Sequence, residues 1–173
     1  MLPGNNLRNL AAALAAFALY ALVFGVAVSG AKIVPQKGIA GAKMGMTQAK
    51  VRGKLGKPDR SRIRNNPFSG LDFLEDKYGK TWVSYDGTAD SSEVWNLSTK
   101  DRKERTASGV GVGSTKREVK EGIKGVKCKK EFGINHCYVG EWLPFHVITN
   151  FELKKKRHKP AKVKRVGIGL VLD

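Results

Sequence analysis

Apolar and polar positions alternate with a period of two through six segments of the chain. These are LDFLEDKYG (71–79), KTWVSYDG (80–87), SEVWNLSTK (92–100), HCYVG (136–140), HVITNFELKK (146–155) and AKVKRVGIGLVLD (161–173). Such alternation, rich in aromatic and β-branched residues, predicts half-buried antiparallel strands. Tyr78-Gly79 and Asp86-Gly87 punctuate the first three segments, the second dipeptide as a hairpin-type turn. The stretches DRSRIRNNPFSG (59–70) and KCKKEFGIN (127–135) read as loops, and KKKRHKPAK (154–162) as a basic hairpin loop.

Ahead of each group of strands the period changes. GIAGAKMGMTQAKVRGKLGKP (38–58) and TASGVGVGSTKREVKEGIKGV (106–126) superpose at a constant offset. Gly41 meets Gly109, Gly45 meets Gly113, Thr47 meets Thr115, Val51 meets Val119, and Leu55 meets Ile123. Thr47 and Thr115 are placed to cap short helices, their hydroxyls accepting from free backbone amides of the first turn. Glu118, three residues after Thr115, completes a capping box, whereas Lys50 at the matching place cannot. The apolar residues four apart form the buried stripe of each helix. The pattern predicts an α+β fold of two tandem units, residues 36–103 and 104–173. Each unit is expected to pack one or two short helices on a three-stranded antiparallel sheet.

The glycines of ASGVGVGST do not make a nucleotide loop. Gly109, Gly111 and Gly113 alternate, and Ser114-Thr115-Lys116 follows where a phosphate-binding loop needs Gly-Lys-Ser/Thr. The glycines read instead as a helix entry.

The motif Gly45-Met46-Thr47-x-x-x-Val51-x-x-x-Leu55-Gly56-x-Pro58 resembles one found in the SmpA/BamE family. Those are small lipoproteins of the outer-membrane β-barrel assembly machinery, with two helices on a three-stranded sheet. The tandem duplication resembles the β-lactamase inhibitory protein-like family. Together these imply a bacterial protein with two helix-on-sheet units. This chain has no cysteine at a lipid-attachment position and no acidic loop of the kind an inhibitor inserts into its target, so no functional residue is carried over.

The N-terminus adds a location. Residues 10–28 are almost wholly apolar, preceded by Arg8 and followed by Ser29-Gly30-Ala31. That describes residues 1–31 as a secretory signal peptide, with an uncleaved anchor as the competing reading. Either way the protein is expected to be exported, outside the cell or at the envelope. In that setting the cysteines Cys128 and Cys137 are expected to form a disulfide.

Charge adds a partner class. The chain carries 32 Lys and Arg against 15 Asp and Glu, a net charge of +17. So large an excess points to an anionic partner: an envelope component or a membrane surface. Nucleic acid matches the charge but conflicts with the export signal. Lys154, Lys155, Lys156, Arg157, Lys159 and Lys162 form the densest block and are the candidates for that contact.

No constellation of residues suggests an enzyme, a metal site, a cofactor or a small-molecule substrate. Trp82, Trp95 and Trp142 are candidates for a partner-binding face, because interface hot spots favour tryptophan. The expected function is therefore an exported, non-catalytic binding protein with a basic surface, with an exported protein as a further candidate partner. A secreted inhibitor of an extracellular enzyme is the alternative.

Overall fold

Val83, Leu97, Ile168 and Thr149 stand in one row across four neighbouring strands, and all four are essentially inaccessible to solvent. The row exists because strand side chains alternate between faces, so apolar residues two apart line one face only. The computed structural model describes residues 32–66, 69–131, 133–155 and 157–172. The segment read as a signal peptide or anchor, residues 1–31, lies outside the described residues, as does Lys156.

Eight strands form a single antiparallel sheet. Three very short strands come first: β1 (Ile33–Val34), β2 (Gly38–Ile39) and β3 (Ala42–Lys43), which make a small sheet of their own. Helix α1 (Gln48–Leu55) leads into β4 (Arg60–Asn65), β5 (Asp72–Tyr78), β6 (Thr81–Tyr85) and β7 (Val94–Thr99). Helix α2 (Lys116–Gly122) leads into β8 (Lys127–Glu131), β9 (Ile134–Val139), β10 (Val147–Lys154) and β11 (Lys162–Leu170). The order across the sheet is β4-β5-β6-β7-β11-β10-β9-β8. Each set of four is a meander, and the last strands of the two sets, β7 and β11, pair along the middle.

This corrects the expected α+β fold. The chain is mostly β, with two short helices among the described residues, not two helix-on-sheet units with separate three-stranded sheets. The reason lies in two segments read as loops. RSRIRN is β4 and KCKKE is β8, the edge strands of the sheet. Their outward rows are Arg60, Arg62 and Arg64 on one and Lys127, Lys129 and Glu131 on the other, so they look too polar for strands. Charged edges are a common device against edge-to-edge association. Asp86-Gly87 likewise opens a longer connection from β6 to β7 rather than a tight hairpin.

The two helix entries are tied down by the same backbone bonds. Gly45 N–H donates to the Val94 carbonyl, and Val94 N–H donates back to Met46, both at 2.9 Å. Gly113 N–H donates to Val163, and Val163 N–H to Ser114, both at 2.8 Å. Thr47 and Thr115 each cap their helix from this anchored position. Val51 and Val119, from the helices, share one core with Ile33 and Ile39 of the small sheet and with Leu97, Phe151 and Val166 of the large one. Cys128 and Cys137 are direct cross-strand partners in β8 and β9 and form a disulfide.

Candidate functional site

Two regions concentrate chemistry. The first is a cationic cleft. The loop from Arg102 to Ser114 folds back on the start of β11, and Arg105 staples it. The Arg105 guanidinium donates to the carbonyls of Arg102 (2.9 Å) and Gly109 (3.3 Å) and to Ser114 Oγ (3.1 Å). Gly111 is needed for that closure, because a Cβ there would lie 2.4 Å from the Glu104 carbonyl oxygen. Gly111 thus serves close backbone approach, while Gly109 and Gly113 adopt positive φ, 79° and 98°.

Folding back brings Arg102 to the β10–β11 hairpin. A cleft of about 450 Å³ results, lined by Arg102 and Gly113 on one side and Lys154, Lys159, Lys162 and Lys164 on the other. Lys164 is committed to Glu152 at 2.7 Å. Arg102, Lys154 and Lys159 are exposed and have no carboxylate within ion-pair distance among the described residues. Lys154 and Lys162 are direct partners across the ladder. Like charges opposite one another in a sheet are destabilising. Of the residues singled out in the sequence, Lys154, Lys159 and Lys162 meet in this cleft, and Lys155 and Arg157 are exposed along the same hairpin. Arg102 was not among the residues marked by the sequence pattern; it lies 52 positions before Lys154 in a polar stretch with no pattern of its own.

The second region is the face of the sheet opposite the core. By alternation it carries the row Lys77, Trp82, Ser98, Gly167, Asn150 and Tyr138, each the cross-strand partner of the next. Trp82 has the ammonium groups of Lys100 and Lys77 at 5.4 and 5.9 Å from its ring centre, within cation–π range. At the centre lies a trough of about 230 Å³ between Asn96, Ser98 and Asn150, floored by Gly167 and Gly169.

The three tryptophans do not form one platform. Trp95, at the irregular start of β7, meets Phe73 edge to face at 5.7 Å beside exposed Leu71 and Phe145. Trp142 follows β9 and stands on Tyr138, with Lys129 4.8 Å from its ring centre. His136, buried beneath it, has Nδ1 3.1 Å from the Asn150 side-chain oxygen. Among the described residues no group of His, Cys, Asp and Glu is arranged to hold a metal, and no helix is long and apolar enough to cross a membrane.

No family model matches the chain, and no curated protein matches it. A solved structure does: the uncharacterized protein YfeY from Escherichia coli, 14% identical, with a TM-score of 0.50. The match covers 76% of this chain and 95% of that one. The likeness is one of fold. Neither the family suggested by the helix-entry motif nor the one suggested by the tandem duplication is named by these comparisons.

Proposed function

We propose that the chain is a binding protein that holds an anionic polymer of the cell envelope or its surroundings in the cleft between the 102–114 loop and the β10–β11 hairpin. The observation that carries this reading is the meeting of Arg102, Lys154, Lys159 and Lys162, from two distant segments, around one cleft. Gathering like charges costs free energy in the free protein, and a bound polyanion offsets that cost. Binding rather than catalysis is what such an arrangement favours: exposed cations attract a charged chain without needing to activate it. The disulfide supports work outside the cytoplasm, where such bonds persist.

The test is sedimentation or calorimetric titration with long-chain polyphosphate, alongside vesicles rich in phosphatidylglycerol. Each cation near an anionic surface contributes about 1 kcal/mol, so Arg102→Gln with Lys154→Gln and Lys159→Gln should weaken binding by about a hundredfold. Binding by the native protein should fall steeply between about 50 and 300 mM salt. Unchanged affinity in the triple variant, or binding indifferent to salt, would sink the reading. Binding to vesicles but not to polyphosphate would move it from polymer to membrane.

A further inference from the structure

Gly167 lies in the interior of β11, a strand paired on both sides, with Ser98 and Asn150 as its partners. Glycine weakens a strand interior, because it loses more chain entropy and packs nothing. None of the usual structural reasons for it applies. Its φ is not in the left-handed region. A Cβ would find the Leu97 carbonyl oxygen at 3.8 Å, an ordinary contact, so there is room for a side chain. The irregularity of the β10–β11 pairing falls between Glu152 and Leu153, away from this residue. What its missing side chain leaves is the bare floor of the trough.

We infer that this trough binds a short segment of an acidic saccharide. Around the bare floor its polar groups can both donate and accept hydrogen bonds, namely the Ser98 hydroxyl and the Asn96 and Asn150 amides, and its two charged lining residues, Glu152 and Arg165, neutralise each other as an ion pair. With its oxygen beside His136, the Asn150 amide keeps its NH₂ to donate. That is the complement of sugar hydroxyls. Arg165, at one end, is paired with Glu152 at 3.1 Å, so the trough has no free cation at its centre for a bare phosphate chain. Trp82 is the next residue along the row beyond Ser98, and an aromatic face suits the apolar face of a sugar ring. Lys77 and Lys100 beside that ring are placed for the carboxylates of a uronic acid. This inference does not rest on the polymer reading of the cleft, and variants of the two regions separate them.

The experiment is calorimetric titration of the intact chain with tetragalacturonate and with a hyaluronan tetrasaccharide. Gly167→Val should fill the trough and weaken saccharide binding by about tenfold or more, with an unfolding midpoint equal to or above the native one. Should that variant fail to fold, Ser98→Val narrows the same trough from the neighbouring strand and should weaken binding likewise. Trp82→Ala should also lose affinity. Binding by folded Gly167→Val or Ser98→Val as tight as native would overturn the inference. So would displacement of the saccharide by equimolar tripolyphosphate, which would mark a purely ionic contact, or no binding of either tetrasaccharide.

Discussion

Lys154 and Lys162 face each other directly across the β10–β11 ladder, two ammonium side chains in one cross-strand pair. A pair of this kind works against the fold, and cross-strand pairs are worth about 0.2–1 kcal/mol in either direction. Lys154→Glu should therefore raise the stability of the free protein by up to about 1 kcal/mol, measured by urea unfolding, while weakening polyphosphate binding. A variant that is both less stable and still a full binder would show that the pair is neither strained nor used.

The buried charge on the core side is of the opposite kind. Asp76, fully inaccessible in β5, accepts from Arg52 Nε at 2.9 Å and Nη2 at 3.1 Å, and from Ser61 Oγ at 2.6 Å. The pair ties α1 to the sheet. Removing one partner of a buried pair costs about 3–5 kcal/mol, and the part-exposed Arg52 points to the lower end. Arg52→Ala should thus lose about 3 kcal/mol in denaturant unfolding. A loss below about 1 kcal/mol, as for a surface pair, would mean that water replaces the guanidinium without cost.

The two caps should differ. Thr47 accepts only from Lys50 N at 3.4 Å, whereas Thr115 and Glu118 satisfy each other reciprocally. Thr115→Ala should cost about 1–1.5 kcal/mol and Thr47→Ala about half that. Hydrogen bonds from the Thr115 backbone and hydroxyl lower the Glu118 pKa. Its support is present above the ordinary carboxylate range and is lost as pH falls through the lowered folded value. The gap between the two variants should close in acid, and equal costs at all pH would refute the capping-box account.

Much of this was legible from the chain alone, for local reasons. The six alternating segments showed because one face of each strand meets the core and the other meets water. The caps showed because Gly-x-Thr before an apolar stripe has one physical use. β4 and β8 were hidden because they lie at the sheet edges, where Ser61, Ile63 and Cys128 are set among arginines, lysines, Asn65 and Glu131 and no apolar alternation shows. The joining of β7 to β11 was hidden because pairing between distant strands leaves no local mark. Arg102 was hidden for the same reason, and Gly167 reads in sequence as one more small residue in a strand.

Glu104 offers a test of sign. It is buried, with Oε2 unpartnered and Lys32 Nζ 3.9 Å from Oε1. Burial raises its pKa, Lys32 opposes this, and Asp101 adds to it. The folded state therefore holds the proton more tightly than the unfolded chain does. Stability falls as pH rises from the ordinary carboxylate range through the raised value, and the loss persists at neutral pH. Glu104→Gln should raise Tm at about pH 7, and the gain should vanish near about pH 3.5. A gain of the same size at both pH values would place its origin elsewhere than ionisation.

The pairing of β7 with β11 also sets an order of events during synthesis. Val94–Thr99 leaves the ribosome well before Lys162–Leu170, its partner strand. Until that partner arrives, β7 presents an open ladder edge carrying Val94, Trp95 and Leu97, with none of the basic residues that guard β4 and β8. A nascent chain stalled before β11 would thus be adhesive in a way that the finished protein is not, and completing the last strand seals the most vulnerable part of the fold.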